Sequence, residues 1–310
     1  KKKLVKNITI NICILLCLFT FCSQKSTAQI TPGMVGVMVS NVVACAYQTE
    51  TCTYLTAEAA AGKTYTAQQE LDIDTVFRDL KGLTNPRYTT YNVLSKITII
   101  YPFYSGISAS DKVNMVNPGT YNYTETGSPT YSTSTYSVAF NGTSNYLNTT
   151  HTPNWSGSFA GSDFTIFAYH RLDNGTDVGG TVGEVGGGNS YVEILNAVYI
   201  NIILCSKTAA NEVTAQNSSR LWWASWSDSS TTNAYMNSTN VETRSYTYTN
   251  TPRRSLFIGG INNNGSIAYG GGLTVDFYIE GVGTWSDAEE AFMYNCFKRA
   301  KLDINGQTWN

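Results

Sequence analysis

The fold is decided by a stretch near the C-terminal end of the chain. Leu273–Ile279 (LTVDFYI) has the length of a strand and is rich in β-branched and aromatic residues. It is soon followed by Ser286–Glu289 (SDAE), an S-x-x-E capping box that predicts the start of a helix running to about Leu302. One stripe of that helix carries Phe292, Cys296 and Ala300. The stretch therefore predicts a buried strand that leads directly into a C-terminal helix.

The strand pattern recurs upstream, from about residue 114 onward. Short apolar or alternating runs stand between clusters of Gly, Asn, Ser and Thr. The runs of strand length are Tyr136–Phe140, Phe164–Tyr169, Tyr191–Leu195, Val198–Leu204, Leu221–Trp226 and Ser255–Ile258. Because no helical patterns alternate with these runs, they predict a mainly β protein built as an antiparallel β-sandwich, and they argue against a βαβ fold.

Two further elements are predicted near the N-terminal end. Thr66–Gln69 has the form of a capping box, and apolar residues follow it at the spacing of one helix face. This predicts a helix over 68–81, with Gly82 and Pro86 ending it. Tyr91–Ile100 reads as helix passing into strand, whereas Gln29–Gly62 shows only one poorly alternating apolar patch. The predicted organisation is a signal peptide at 1–28, an N-terminal segment with one or two helices at 29–108, and a β-sandwich at 109–310.

The leader predicts export. Four lysines precede an apolar run of about fifteen residues, Ile8–Cys22, and Ser26–Ala28 offers small residues for cleavage. The run is shorter than the roughly 20 residues that span a bilayer, and no other segment of that kind follows. We therefore expect a secreted or cell-surface protein with no membrane span once the signal is removed.

Charge and composition exclude nucleic acid as a partner. The 310 residues include 20 Lys and Arg against 22 Asp and Glu, and five of the lysines fall in the leader. Removing them leaves 15 basic against 22 acidic residues, a net charge of −7. Nonspecific nucleic-acid binding depends on clusters of Lys and Arg, so a chain this acidic is not expected to bind nucleic acid.

Cysteine usage leaves one candidate disulfide. Cys45 and Cys52 lie seven residues apart in a polar stretch of an exported chain, where a short disulfide loop or two free thiols are both chemically allowed. Cys205 and Cys296 each suit a buried apolar position, and a bridge between them is an open alternative. With two His and no C-x-x-C pair, a Cys/His zinc site is not expected.

Several motifs in the region from about residue 109 onward resemble the concanavalin A-like lectin and glucanase superfamily, in its laminin-G-like branch. These motifs are Val138–Leu147 (VAFNGTSNYL), Asp163–Tyr169 (DFTIFAY), Leu256–Gly260 (LFIGG) and Gly281–Glu289 (GVGTWSDAE). The resemblance implies a jelly-roll sandwich. The helix at 68–81, Ile100–Gly106 (IYPFYSG), Lys112–Asn114 (KVN) and the FNG segment carry a narrower likeness over roughly 66–304. It resembles modules of phage tail or other virion proteins and of Bacteroidetes surface proteins. Since such sandwiches host lectins, glycosidases and scaffolds alike, the resemblance fixes no function.

Catalysis is not expected. Glu70–Asp74 (ELDID) resembles the E-x-D-x-E signature of laminarinase-type glycosidases, in which two carboxylates on one strand face are about 5 Å apart. Here the last acid is an Asp and the stretch lies in a helical pattern, so an exposed helix face explains it. His151 and His170 lack the sequence context of a Ser–His–Asp triad. We expect a protein that is not an enzyme.

Two features are candidates for ligand binding. Trp222 and Trp226 fall on one face of a predicted strand, and Trp223 falls on the other. The tryptophans of one face would fill the core, and those of the other face could stack on a sugar ring. Alternatively, the tryptophans of both faces pack in the core. Two loops are rich in oxygen ligands that suit calcium, and turn chemistry alone also favours these residue types. The candidate calcium ligands are Asp173, Asn174, Asp177, Asn262 and Asn264.

Together these observations favour a secreted, non-catalytic module that binds a glycan or cell-surface receptor. Calcium is the one candidate cofactor. The alternative is a structural virion or extracellular assembly protein of the same fold, which works through oligomers and protein contacts and binds no sugar. A glycoside hydrolase ranks third.

Overall fold

A computed structural model describes most of the chain after residue 44. The described residues are 45–83, 91–152, 164–171, 179–185, 191–196, 200–204, 212–213, 220–228, 231–236, 239–245, 255–263, 265–268, 272, 274–283 and 285–308. The predicted signal peptide lies outside them, as do Pro86 and Cys205. Cys45–Asn310 forms one compact unit. Among the described helices, none is both long and apolar enough to cross a bilayer.

The described residues contain four helices and one short 3-10 turn, Leu94–Lys96. The helices are α1 (Thr49–Ala60), α2 (Ala67–Leu80), α3 (Ser108–Asp111, a single turn) and α4 (Asp287–Asn305). Both predicted capping boxes are present, with Thr66 and Gln69 at the start of α2 and Ser286 and Glu289 at the start of α4. The predicted C-terminal helix is therefore confirmed.

Strand β17 (Thr274–Val282) lies near the middle of the first sheet, where it pairs with β6, β4 and β1. The order of this sheet is β13-β12-β11-β6-β17-β4-β3. Its strands are β1 (Ile97–Tyr101), β3 (Thr130–Ser132), β4 (Ser137–Ala139), β6 (Phe164–Arg171), β11 (Arg220–Asp228), β12 (Thr231–Met236), β13 (Thr239–Ser245) and β17.

The second sheet has the order β10-β9-β8-β7-β14-β5-β2, and β15 joins it by pairing with β7 and β16. Its strands are β2 (Thr124–Thr126), β5 (Tyr146–Asn148), β7 (Gly179–Val185), β8 (Tyr191–Asn196), β9 (Ile200–Leu204), β10 (Glu212–Val213), β14 (Phe257–Ile258), β15 (Ile261–Asn263) and β16 (Ser266–Ala268). The described pairings in both sheets are antiparallel except β15 with β7. The mainly β, antiparallel character predicted from the sequence is confirmed.

A helical layer packs on one face of the first sheet. Tyr54 of α1, Phe77 of α2 and Phe297 of α4 belong to one buried apolar cluster with Phe167 of β6 and Phe277 of β17. The rings of Phe277 and Phe297 are 4.1 Å apart. Burying aromatic side chains of this size removes large apolar areas from water, so this layer is a major source of stability.

The opposite face of β17 is also buried, and it carries Tyr278 and Glu280. Tyr278 stacks on Tyr101 of β1, with ring centroids 5.8 Å apart. Tyr101 also packs edge-on against Tyr123, which immediately precedes β2 of the second sheet. The two faces of β17 thus meet different partners, helices on one side and residues next to the second sheet on the other.

Helix α1 lies in the stretch 29–62, where the sequence analysis named no helix. Its N-cap, Gln48, provides no side-chain cap. The carboxylate of Asp74 takes that role from α2, accepting hydrogen bonds from Gln48 N at 2.7 Å and Thr51 Oγ1 at 2.8 Å. A cap supplied from so far along the chain leaves no local sequence signal.

Elements on the two sides of the predicted boundary between residues 108 and 109 contact each other. Strand β1 pairs with β17, and α1 and α2 share the apolar cluster with α4. Residues 45–108 therefore belong to the same unit as the sheets that follow.

The cysteines take two different roles. Cys45 and Cys52 form a disulfide, with Cα atoms 5.9 Å apart, that closes a small loop at the start of α1. Cys296 is a free, buried thiol on α4, which removes the alternative of a bridge to Cys205. Burial in apolar surroundings raises the pKa of Cys296 well above its usual value, as expected for an inert packing residue.

Two glycines next to the second sheet provide a test of the packing. Gly259 and Gly265 have φ angles of +89° and +91°, so alanine is strained at both. A Cβ at Gly259 would lie 2.4 Å from the ring of Phe140, whereas one at Gly265 meets no atom within 4 Å. We expect Gly259→Ala to lower the free energy of unfolding by about 1–3 kcal/mol more than Gly265→Ala, because only the first is overpacked. Urea denaturation of both variants measures this, and equal losses would contradict the described packing.

Candidate functional site

The predicted tryptophan positions lie on β11, between β6 and β12. The backbone register pairs Trp223 with Phe167 and Tyr235, which are both in the buried cluster under the helices. Residues directly opposite each other lie on the same face of a sheet, so Trp223 takes a position in the helix-covered row. Trp222 takes a position in the other row, opposite Ala168, which is fully buried. Trp226 pairs with Thr232.

The candidate calcium ligands are only partly described. Asp173, Asn174, Asp177 and Asn264 lie outside the described residues. Asn262 is buried, and its side chain holds its own turn: Nδ2 donates to Ser255 O at 2.7 Å, and Oδ1 accepts from Gly265 N at 2.8 Å. Within the part of the chain that the structure describes, no group of three or more His, Cys, Asp and Glu could hold a metal ion.

The acids that resemble a glycosidase signature are structural groups of α2. Asp74 is buried, and besides the N-terminus of α1 it accepts a hydrogen bond from Arg78 Nε at 2.8 Å. Burial acts to raise the pKa of Asp74, but these hydrogen bonds outweigh it and lower that pKa. Asp72 accepts a hydrogen bond from Gln68 on the same helix. The stretch lies on a helix, not on a sheet strand, and Asp74 is committed to holding α1.

His151 has a carboxylate partner that the sequence did not reveal. Its Nδ1 lies 2.5 Å from Oε2 of Glu280, a fully buried residue of β17, whose Oε1 accepts a hydrogen bond from Tyr278 OH at 2.6 Å. The centroid of the Tyr121 ring lies 4.6 Å from that of the His151 ring. The partners are 129 residues apart in sequence, so only the folded chain brings them together. The pair joins β17 to the segment after β5.

A surface on the second sheet offers a different kind of site. Tyr146 of β5 stacks on Phe257 of β14, with ring centroids 4.0 Å apart. The register sets Thr126 opposite Tyr146 and Thr124 opposite Asn148. Tyr146 and Asn148, two residues apart on a strand, share a face. We call Thr124, Thr126, Tyr146 and Asn148, together with Phe257, the β5 surface; Phe257 pairs with Asn148 and so lies on the same face.

The β5 surface is open to solvent. Thr124 and Thr126 are exposed, Tyr146 and Asn148 are half-buried, and Phe257 is covered. A flat ring bordered by hydroxyl and amide groups can meet both the C–H face and the hydroxyls of a sugar. Sequence reasoning treated Asn145–Leu147 and Leu256–Ile258 only as fold motifs. Tyr146 lay outside the predicted strands, so nothing in the sequence indicated that it would stack on Phe257.

Comparisons with known proteins support the fold alone. No family model matches the chain, and no curated protein matches it. Among solved structures, a Trypanosoma rangeli sialidase in complex with sialic acid matches 77% of this chain and 40% of its own, with 13% identity and a TM-score of 0.52. A structure of botulinum neurotoxin type C, whose cell entry depends on two ganglioside molecules, matches 66% of this chain and 52% of its own, with 9% identity and a TM-score of 0.50. The chain covers less than two thirds of either protein.

The buried pair provides a stability test. His151→Ala leaves Oε2 of Glu280 in the interior without its hydrogen-bond partner, so we expect it to cost about 1–3 kcal/mol of unfolding free energy. Tyr121→Ala removes the half-exposed ring above the pair and is expected to cost under about 1 kcal/mol. Chemical denaturation compares them. A cost for His151→Ala no greater than for Tyr121→Ala would show that the pair contributes little.

Proposed function

We propose that this protein is a non-catalytic, glycan-binding module of an exported protein, built on a concanavalin A-like jelly-roll sandwich. The observation that carries the proposal is the β5 surface, where a stacked aromatic pair lies among exposed hydroxyl and amide groups. The two-sheet fold supports it, because solved structures of similar fold include a sialidase with sialic acid and a neurotoxin that enters cells through gangliosides.

The helical layer restricts where a ligand can bind. It covers the face of the first sheet that carries Phe167 and Phe277, and the other face of β17 is buried as well. Strand β2 exposes all three of its residues, so the described part of the second sheet offers the accessible face. We therefore prefer the β5 surface to the tryptophan positions of β11 as the binding site.

The chemistry of the β5 surface favours a neutral sugar. Its side chains are hydroxyl, amide and aromatic groups, and none of them carries a charge. Ring stacking and hydrogen bonds to sugar hydroxyls would supply the affinity, and no fixed cation in the surface would pair with an acidic sugar. The ligand class we propose is a neutral glycan of a cell surface or extracellular polysaccharide.

A glycan array tests the proposal, followed by calorimetry on any neutral glycan that binds. We expect Tyr146→Ala to weaken binding by about tenfold or more, equivalent to about 1.4 kcal/mol. Trp222→Phe and Trp226→Phe should leave the Kd within about threefold of wild type, and circular dichroism should show all three variants folded.

Three other outcomes would overturn parts of the proposal. Loss of binding in the tryptophan variants, with Tyr146→Ala unaffected, would move the site to β11. An array without hits would favour the structural assembly protein. Release of reducing ends from a bound polysaccharide would show a glycoside hydrolase.

A further inference from the structure

Two carboxyl groups are buried together where α1 meets the segment around α3. Glu58, in the last turn of α1, is 1% exposed, and Asp111, at the end of α3, is 3% exposed. They are not part of the β5 surface or of the His151–Glu280 pair. Buried carboxyls of this kind are uncommon unless a partner charge or several hydrogen bonds satisfy them.

Each carboxyl is satisfied on one oxygen only. Glu58 Oε2 accepts hydrogen bonds from Tyr65 OH at 3.0 Å and from Ser110 Oγ. Asp111 Oδ1 accepts from Ser105 N at 2.9 Å and Ser105 Oγ at 2.8 Å. The second oxygens, Glu58 Oε1 and Asp111 Oδ2, are buried without a hydrogen-bond partner. Burying an oxygen without a hydrogen-bond partner costs much less free energy in a neutral carboxylic acid than in a charged carboxylate.

The groups that face the pair supply limited compensating charge. Tyr54 of α1 and Tyr65 face Glu58, and their own pKa values are raised by burial and by the charge of Glu58. Lys301 of α4 acts on Asp111 through its charge, while its Nζ donates to Phe103 O at 3.2 Å and Tyr136 O at 2.8 Å. On the other side of Asp111 are two hydrogen-bonded tyrosines, Tyr123 and Tyr131.

We propose that Glu58 and Asp111 form an acid-dependent clamp: with both carboxyls protonated, α1 is held firmly against the Ser105–Asp111 segment, and their ionisation loosens it. The Ser110–Glu58 hydrogen bond is the direct link between the two elements. Because the two acids come from different elements, ionising both puts like charges on either side of the same buried junction.

The pH range of the clamp follows from the two carboxyls. Burial raises the pKa of Glu58 from 4.5 to about 7, with Asp111 adding to the rise, and burial raises the pKa of Asp111 from 3.8 to about 6. Raised values mean that the folded state keeps protons that the unfolded chain releases. The contribution of the pair to stability is therefore greatest below about pH 4, declines between about pH 4 and 7, and is constant above that.

Thermal unfolding of the full chain at pH 5 and pH 8 tests the clamp. We expect the wild-type Tm to fall on the order of 5 °C from pH 5 to pH 8. The double variant Glu58→Gln/Asp111→Asn keeps both shapes without the charge, so its Tm should change much less and exceed the wild-type value at pH 8. Glu50→Gln is the matched control on the same helix. The hydrogen bond from Lys81 lowers the pKa of the wild-type Glu50 carboxyl, so this group stays ionised at both pH values. The Glu50→Gln variant should therefore show the same change of Tm with pH as wild type.

Amide hydrogen exchange supplies the local readout. After correction for intrinsic exchange rates, protection of Thr49–Ala60 should fall more at pH 8 in wild type than in the double variant. An unchanged pH slope in the double variant, or equal protection of α1 at both pH values in wild type, would overturn the clamp. If the double variant does not fold, a carbon-13 NMR titration of the wild-type carboxyl groups tests the clamp instead. A carboxyl group that titrates near pH 6–7 supports the clamp, and the absence of any carboxyl group that titrates above pH 5 refutes it.

Discussion

The structure depends on the burial of both faces of β17. This strand pairs with β6, β4 and β1, so its backbone hydrogen bonds hold the middle of the first sheet together. Phe277 on one face packs under the helices, while Tyr278 and Glu280 on the other meet Tyr101 and His151. Because the same strand leads into α4, a change in its register would displace the helix as well as the sheet.

Burying polar groups on one face of β17 has a cost, which partners from distant parts of the chain offset. Glu280 is satisfied by Tyr278 and His151, and Lys301 of α4 is satisfied by the carbonyls of Phe103 and Tyr136. Such networks specify one arrangement, since each partner removed would leave an uncompensated group in the interior. The helices close one face of the first sheet, while the residues of β2 in the second sheet are exposed.

The sequence predicts elements whose signals are local. The capping boxes at Thr66 and Ser286 fixed α2 and α4, and alternating runs found most long strands. Signals that depend on distant partners were missed. Helix α1 is capped by Asp74 of another helix, and the contact of His151 with Glu280 joins residues that are far apart in the sequence. The same limit applies to the candidate site, because the stacking of Tyr146 on Phe257 appears only after the second sheet has formed.

Hydrogen exchange resolved along the chain tests the central role of β17 most directly. If β17 holds the sheet together, the amides of Thr274–Val282 exchange only through global unfolding and are among the slowest in the protein, together with those of β6. The short edge strand β2 should exchange much faster. Amides of β17 that exchange as fast as those of β2 would contradict the account, because a strand buried on both faces cannot open without unfolding the sheet around it.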